Sequence, residues 1–323
     1  NTLVRALLER GERVRAGVRD LDNRAPFAGL ACELVYAELQ DKAAMLKALE
    51  GVDVLYQVAA VFKHWAKDPQ AEIIDPNVNG TRILLAAADE AGVKRIVYVS
   101  SVAAVGQNGQ PLTEDDWSAE EHNAYFKSKI LAERAAWDAA QTHGLWMVSV
   151  LPSAMIGPNA VRLTDTMNFL ASVQKREVPL DPDFHFNFVD VRDVAEGMIQ
   201  AATRGRPGHR YILANEHSSP LASLVDAANA VTPGYRLPPR APKWLLLCVA
   251  WLKERVAQIT GAPANLLVSQ VRMFHNVRQE YSTLKARTEL GFNPRSPSVA
   301  LAEAFAYLER WPRQPYEGRA LVE

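Results

Sequence analysis

Short apolar runs alternate along this chain with longer segments in which apolar residues recur every three or four positions. The runs predict strands at 13–20, 32–39, 52–60, 95–101, 146–151, 187–191 and 210–214. The periodic segments predict helices at 2–10, 42–49, 68–91, 124–142, 165–174, 192–204, 221–230, 242–260, 263–276 and 298–311. Because most of the strands are apolar throughout, we expect a parallel sheet that helices cover on both faces.

The alternation of strand and helix is regular up to about residue 157 and looser beyond it. The pattern therefore predicts an α/β fold in which 1–157, with 187–203 and part of 208–216, builds a doubly wound parallel sheet. The remainder of 158–323 predicts a smaller, mostly helical lobe. Ligands of such sheets bind beyond the carboxyl ends of the strands. Arg19, Ala59 with Ala60, and Ser101 all fall at predicted strand ends.

The predicted helix at 2–10 has no strand in front of it. A doubly wound sheet that binds a dinucleotide normally begins with a strand and a glycine-rich turn, where the backbone approaches the pyrophosphate at a helix N-terminus. The sequence contains neither GxGxxG nor GxxGxxG, yet 1–10 has the character of the helix that such a turn opens. We therefore expect the first strand and its turn to precede residue 1. The alternative is a fold that never had them.

Composition narrows the function classes. The chain has 323 residues, 48% of them hydrophobic and 23% charged, and a formal net charge of −1, which gives no support to a general nucleic-acid or anionic-membrane surface. Its two cysteines, Cys32 and Cys248, form no disulfide framework and no metal-ligand cluster, so we expect a cytoplasmic protein without a metal. No apolar run approaches the ~20 residues of a membrane span. The run at 244–252 predicts a buried helix, with a helix resting on a membrane surface as the alternative.

Candidate chemistry centres on YFKSK, at 125–129. Tyr125 and Lys129 are four residues apart on a predicted helix, so their side chains share a face. A phenol titrates near pH ~10, and an acid/base group works best near neutrality, so its pKa must fall by about three, or roughly 4 kcal/mol. One positive charge at ~4 Å in a dielectric of ~20 supplies about that much. Ser101 can bind a substrate oxygen, with Ser100 as the alternative in the doublet.

The end of the strand predicted at 13–20 indicates which dinucleotide binds, because this would be the second strand of the sheet if a first strand precedes residue 1. An acidic residue at this place binds the ribose hydroxyls of NAD(H), whereas an arginine accommodates the 2′-phosphate of NADP(H). Val18 stands about where the acid would be, and Arg19 follows it. We predict NADP(H), with NAD(H) possible and a solvated loop arginine as the alternative reading of Arg19.

Seven segments resemble, in their order and spacing, the extended short-chain dehydrogenase/reductases of the NAD(P)-dependent epimerase/dehydratase family. They are VRD (18–20), AEL (37–39), VAA (58–60), NVNGT (77–81), YVSS (98–101), YFKSK (125–129) and LPSAMIGP (151–158). LKARTELGF (284–292) fits the family's C-terminal pattern. The resemblance is strongest to the dihydroflavonol-4-reductase-like and 3β-hydroxysteroid-dehydrogenase-like branch. It implies a Rossmann-type fold and a substrate lobe.

The resemblance also implies roles for single residues. Ser101, Tyr125 and Lys129 would be a catalytic triad in which Tyr125 passes the proton and Lys129 lowers its pKa and holds the nicotinamide ribose. The implied cofactor-binding residues are Arg19, Glu38, Leu39, Ala59, Ala60, Tyr125, Lys129, Pro152 and Ser153. Structural roles are implied for Asn79 and Thr81, and Asp193 is expected to cap a helix.

Two enzymatic functions follow from this resemblance. The sugar-nucleotide branch usually has Arg-Asp where this chain has Phe186-Asn187, so a substrate diphosphate would lose an expected partner. We therefore favour an NADP(H)-dependent oxidoreductase that reduces a carbonyl, or oxidises the alcohol, of a small organic substrate. The alternative is a nucleotide-sugar epimerase or dehydratase with tightly bound NAD. A dinucleotide sensor without activity is a third hypothesis, and a homodimer through helices 68–91 and 124–142 is expected by family analogy.

Overall fold

The computed structural model describes residues 1–107, 110–262, 264 and 266–311. Its strands are β1 (Arg15–Val18), β2 (Glu33–Tyr36), β3 (Val54–Gln57), β4 (Arg95–Val99), β5 (Met147–Pro152), β6 (Ala154–Ile156), β7 (Phe188–Asp190) and β8 (Arg210–Leu213). Its α-helices are α1 (Thr2–Glu9), α2 (Lys42–Leu49), α3 (Asp75–Glu90), α4 (Ala124–His143), α5 (Asp165–Gln174), α6 (Val191–Arg204), α7 (Leu221–Val231), α8 (Lys243–Thr260), α9 (Val268–Phe274) and α10 (Pro297–Arg310).

All of these strands pair in parallel. The largest sheet has the order β3-β4-β5-β8, and two further parallel pairs are formed by β1 with β2 and by β6 with β7. In the main sheet Val97 lies opposite Tyr56 on one side and Val148 on the other. The predicted parallel α/β architecture is thus confirmed. The strand and glycine turn expected before residue 1 stay a prediction.

Neighbouring residues of the central strands enter different cores. Val97 and Val148 pack with Val194 and other residues of α6, and Leu3 of α1 lies against this layer. Ile96 and Met147, each one position earlier, pack instead with α2, α3 and α4. Side chains alternate between the two faces of a strand. Both faces are therefore covered, which explains why the strands are apolar throughout.

Most of the predicted elements form within one to three residues of their expected bounds, although the helix predicted at 263–276 is the shorter α9. Two further differences are informative. The segment predicted as one helix at 68–91 begins with a π-helical turn, Gln70–Ile74, ahead of α3. Pro76 lies in the first turn of α3 and has no N–H to donate, so the regular hydrogen-bond pattern changes there. The short strand β6 was not expected, because three residues carry too little periodicity to predict a strand.

The segment 244–252, expected to be a buried helix, is buried along one side only. On α8, Leu246 and Ala250 are buried, whereas Trp244, Trp251 and Leu252 are exposed. Within the ranges described here, no helix is long and apolar enough to cross a membrane. The expectation of full burial is therefore wrong for the outer face of this helix.

Candidate active site

The serine doublet after β4 is divided between the core and the site. Ser100 is buried, and its hydroxyl donates to Glu133 Oε2 at 2.7 Å. Ser101 is half-buried and caps the 3₁₀ turn Val102–Ala104, its Oγ accepting from the Ala103 N–H at 3.2 Å. Successive residues of extended chain point to opposite sides. Glu133 already binds the hydroxyl of Ser100, so the geometry favours Ser101 over Ser100 as the site residue.

Tyr125 is the second residue of α4 and lies in a ring of aromatic side chains. The helix begins at Asn123, whose side chain accepts from the Phe126 N–H at 3.3 Å, as an N-cap residue does. The phenol ring meets Phe62, His64 and Phe126 edge-on, with ring centroids 5.0, 4.8 and 5.7 Å away. We call these three residues the aromatic collar. Only 8% of Tyr125 remains exposed.

Lys129 lies one turn along α4 on the same face, as its spacing predicts, with Nζ 6.0 Å from the centroid of the Tyr125 ring. Burial lowers the pKa of Lys129 to about 8, although the Glu133 carboxylate acts to raise it. Burial raises the pKa of Tyr125 to about 12, against a hydrogen bond with Ser101 that acts to lower it. The predicted lowering of the phenol pKa is thus wrong in sign here, because burial outweighs the hydrogen bond with Ser101, and the Asp165 carboxylate also acts to raise the pKa.

The pKa of Lys129 predicts how stability depends on pH. Between about 8 and the unfolded value near ~10.4, this amine is neutral in the folded chain but protonated in the unfolded chain. Unfolding therefore takes up a proton in this window, and the stability due to this residue rises with pH. We expect the free energy of unfolding of the wild type to rise relative to Lys129→Met between about pH 7.5 and pH 10. Urea unfolding of both proteins measures this difference, and a constant difference contradicts the assignment.

The chain after β3 brings two small side chains to the carboxyl edge of the main sheet. Ala59 and Ala60 are exposed, and the Ala59 carbonyl accepts from the Gln57 amide at 2.9 Å. Asn77 of α3 bonds both backbone groups of Val61, at 2.7 and 3.0 Å. The same Asn77 amide donates to Ser128 Oγ at 3.2 Å. We call this arrangement the Asn77 clamp, because it joins the post-β3 segment to α4.

The structural role expected of Asn79 belongs to Asn77. Asn79 is exposed on α3, whereas Asn77 is buried. Two residues apart on a helix point in nearly opposite directions, so only one of them can face the sheet. Thr81 is buried as expected, and its hydroxyl lies 3.3 Å from the Tyr98 hydroxyl.

The predicted adenine-side residues lie at the ends of the paired strands β1 and β2. Arg19 is exposed directly after β1, while Glu38 and Leu39 are half-buried after β2. A Cβ atom on Gly80 of α3 would lie 3.0 Å from the Leu39 Cβ, closer than such atoms normally approach. The glycine therefore lets α3 pack directly against the segment after β2.

Pro152 and Ser153 occupy the carboxyl end of β5. Ser153 is buried, and its hydroxyl has no hydrogen-bond partner among the described residues. Leaving a buried hydroxyl unpaired costs about 1–3 kcal/mol, so such atoms usually have a partner of some kind. This hydroxyl is thus a free polar group at the place where the resemblance puts the nicotinamide.

Positions 186–187 carry no positive charge. The Phe186 ring is surrounded by other phenylalanine rings at centroid distances between 5.4 and 6.2 Å, from Phe169, Phe184, Phe188 and Phe274. We call these five rings the phenylalanine cluster; it reaches the aromatic collar through the Phe126–Phe274 contact at 5.9 Å. Asn187 is fully buried and donates to the Asn215 and Gln279 carbonyls at 2.6 and 3.0 Å.

A buried ion pair lies one helical turn beyond Lys129. Glu133 and Arg210 join through two N–H···O bonds of 2.9 and 3.1 Å, and the Ser149 hydroxyl also donates to Glu133 at 2.8 Å. Arg210 further donates to the Glu114 and Asp116 carbonyls, both at 2.8 Å. Together with the bond from Ser100, these contacts join α4 to the chain at the end of β4, to β5 and to β8. They also join β8 to the loop that follows Ser101.

The family comparison decides the ancestry of this site. A model described as the NAD dependent epimerase/dehydratase family matches residues 1–214, about two thirds of the chain. The chain belongs to the NAD dependent epimerase/dehydratase family. The resemblance to extended short-chain dehydrogenase/reductases is thereby confirmed, and the chain is an NAD(P)-dependent enzyme of this group, with oxidoreductases among its relatives.

Two relatives of this epimerase/dehydratase-family enzyme match nearly its whole length. A putative dihydroflavonol 4-reductase of Synechocystis sp. is 36% identical over 95% of this chain and 90% of its own. Sterol demethylase protein B of Methylococcus capsulatus is 33% identical over 94% of this chain and 93% of its own. Among solved structures, that of gox2253 has a TM-score of 0.82 and 32% identity, covering 95% of this chain and 94% of that one.

More distant solved structures share the fold and contain different dinucleotides. Yeast methylglyoxal/isovaleraldehyde reductase Gre2, complexed with NADPH, has a TM-score of 0.73, 20% identity and coverage of 95% of this chain and 94% of its own. MoeE5, in complex with UDP-glucose and NAD, has a TM-score of 0.72, 19% identity and the same coverage. Both dinucleotides therefore occur on this fold.

The local sequence does not predict some of the contacts in this enzyme. Glu133 is four residues after Lys129, a spacing that indicates only a shared helix face, and its partner Arg210 is far away in sequence. Asp193, expected to cap α6, binds the Arg295 N–H at 2.8 Å instead, while Asp190 is the N-cap. Two acids three residues apart fit the same cap pattern, and only the tertiary contact separates them.

Proposed function

We propose that this enzyme is an NADP(H)-dependent oxidoreductase that reduces a carbonyl of a small organic substrate, or oxidises the corresponding alcohol. The observation that carries the proposal is the buried Tyr125 phenol: the Ser101 hydroxyl acts to lower its pKa, and Lys129 lies one turn away on α4. Ser101 comes directly after the carboxyl end of β4, where ligands of a doubly wound sheet bind. We assign Ser101, Tyr125 and Lys129 as the catalytic residues.

The surrounding residues fit a dinucleotide. In our proposal Arg19, Glu38 and Leu39 hold the adenosine end, Ala59 and Ala60 lie along the ribose, and Pro152 and Ser153 border the nicotinamide. The unpaired buried hydroxyl of Ser153 supports this placement, because a carboxamide can both donate to it and accept from it. Bound there, the dinucleotide would supply the hydride.

The protonation states of the side chains suit carbonyl reduction. With a pKa of about 12 the Tyr125 phenol is protonated at neutral pH and can donate to a carbonyl oxygen, although it is a weaker acid than a phenol with a pKa near neutrality. Lys129, with a pKa of about 8, stays mostly protonated at pH 7 and favours the phenolate left after the transfer. Ser101 donates to the same substrate oxygen and fixes its orientation.

The lobe that we assign to substrate binding, within 158–323, favours an uncharged and largely apolar substrate. The phenylalanine cluster occupies the place where an arginine would bind a diphosphate, and Asn187 is committed to backbone carbonyls. The second candidate, a nucleotide-sugar epimerase or dehydratase with bound NAD, has the support of the family's name and of the MoeE5 complex. Position 186 does not supply the arginine that would bind a sugar diphosphate.

Two coarser proposals accompany the reaction. We place the enzyme in the cytoplasm, supported by the free thiols of Cys32 and Cys248. A homodimer through α3 and α4 is proposed by family analogy.

Cofactor oxidation by the full-length protein tests the reaction. We expect NADPH-dependent reduction of aldehydes, ketones or flavanonols, followed through the absorbance of the reduced nicotinamide. A protein that purifies with stoichiometric NAD and converts UDP- or GDP-sugars without net redox change would establish the second candidate instead.

Replacement of Arg19 tests the cofactor preference. A charge-assisted hydrogen bond to phosphate contributes about 1.5–3 kcal/mol, so Arg19→Ala is expected to raise the KM for NADPH about tenfold or more while leaving the KM for NADH nearly unchanged. Arg13→Ala, an exposed arginine before the opposite end of β1, is the matched control. A wild type that prefers NADH, with kinetics insensitive to Arg19→Ala, contradicts the assignment.

A further inference from the structure

The outer side of α8 carries a continuous apolar surface. Its members are exposed and lie on a single side of the helix, and we call them the α8 face: Trp244, Trp251, Leu252, Val256 and Ile259. Ile259 is 84% exposed and Trp244 is 66% exposed. Large apolar side chains scattered singly are normal on a surface, whereas a contiguous patch of them marks an interaction site.

The opposite side of α8 is fixed in the fold. Leu246 and Ala250 pack into the core that contains Phe126, Phe184 and Phe274. Ala257 is buried on the same side of the helix. The helix therefore cannot turn its exposed side inwards without giving up this packing. Among the residues that the structure describes, none covers the α8 face.

The stretch of sequence that contains α8 is strongly basic, unlike the whole chain. Residues 227–279 contain seven basic residues and one acidic residue, a net charge of +6, which leaves −7 for the rest of a chain of net charge −1. The basic residues are Arg236, Arg240, Lys243, Lys253, Arg255, Arg272 and Arg278. Arg240 is paired with Asp181 and Asp183, whereas Lys243, Lys253 and Arg255 lie on α8 itself. The carboxylate of the single acid, Glu254, accepts from the Val268 N–H at 2.8 Å.

We propose that the α8 face docks on an anionic lipid bilayer, with α8 lying in the plane of the membrane surface. Tryptophan prefers the interface between headgroups and acyl chains, and basic side chains reach from there to anionic headgroups. Arg255 is placed for this, because its guanidinium lies 5.5 Å above the Trp251 ring. A second copy on the same face is disfavoured, because two segments of net charge +6 would then meet.

Vesicle sedimentation tests the proposal independently of the reaction. The full-length protein is mixed with vesicles of phosphatidylcholine containing about 30% phosphatidylglycerol, or of phosphatidylcholine alone. We expect binding to the mixed vesicles, weaker binding in roughly 0.5 M salt, and little binding to the uncharged vesicles. A wild type that binds neither kind of vesicle overturns the proposal.

Two double variants, each of which replaces exposed apolar side chains, distinguish membrane docking from other effects. Trp251→Gln with Ile259→Gln is expected to weaken vesicle binding by at least about tenfold, because two deeply inserted apolar side chains are lost. Leu284→Gln with Val299→Gln removes exposed apolar side chains elsewhere and is the matched control, expected to bind like the wild type. Vesicle binding that is unchanged by the α8 substitutions contradicts the proposal. So does a dimer, seen by analytical ultracentrifugation, that these substitutions dissociate.

Discussion

Tyr125→Phe is expected to lower kcat for carbonyl reduction by about 10²- to 10⁴-fold, the range that a positioned general acid contributes. The substitution removes one hydroxyl and keeps the ring among Phe62, His64 and Phe126. We therefore expect the fold to be retained and dinucleotide binding to change little. Steady-state kinetics with NADPH, together with thermal unfolding in the presence and absence of the dinucleotide, measure the two effects separately.

Tyr98→Phe provides the matched control for this substitution. Tyr98 is also buried, but its hydroxyl lies 3.3 Å from Thr81 within the core rather than at the site. We expect this variant to lose some stability and to keep kcat within a few-fold of the wild type. Retention of kcat within about tenfold in Tyr125→Phe would refute the proton-donor role. An equal loss in Tyr98→Phe would show that the effect is only structural.

Arg210→Ala is expected to lower the free energy of unfolding by about 3–5 kcal/mol, because it leaves the Glu133 carboxylate buried without its cation. The Glu133 side chain is fully buried and that of Arg210 is 8% exposed. The substitution also removes the donor to the Glu114 and Asp116 carbonyls and the guanidinium 3.9 Å from the centroid of the Trp117 ring. Urea unfolding followed by circular dichroism measures the loss.

Two further variants calibrate this result. Lys94→Ala breaks an exposed ion pair with Asp53 and should cost less than about 1 kcal/mol. Arg210→Lys keeps the charge but loses the bidentate contact, so we expect it to lose less stability than Arg210→Ala. It provides the measurement if Arg210→Ala does not fold. A loss in Arg210→Ala no larger than that in Lys94→Ala would show that the buried pair does not contribute to stability as described.

Sequence reasoning succeeded where periodicity alone determines geometry. The four-residue interval between Tyr125 and Lys129 predicted a shared helix face, and the ammonium does lie 6.0 Å from the phenol ring. The apolar strands predicted a sheet covered on both faces, and Ile96 and Val97 do enter cores on opposite sides of it. In both cases the backbone repeat fixes the direction of the side chains.

Prediction from the sequence failed where tertiary contacts decide between residues that are equivalent in the local sequence. Asn77 and Asn79 carry the same side chain, and only the position of the sheet shows which one faces inwards. The predicted sign of the Tyr125 pKa shift was wrong because the prediction considered only the charge of Lys129. Burial by rings distant in sequence, such as Phe62, raises the pKa instead. Likewise, no local pattern near Glu133 indicates a partner on β8.

The Asn77 clamp has a consequence for how the enzyme releases its product. Its three hydrogen bonds keep the chain at Val61 attached to α4, so this segment is expected to open more slowly than an untethered surface loop. His64, only three residues further on, is held near Tyr125 by the same attachment. We therefore expect slow amide hydrogen exchange at Val61. Any gating of turnover should then arise in a segment that this clamp does not hold.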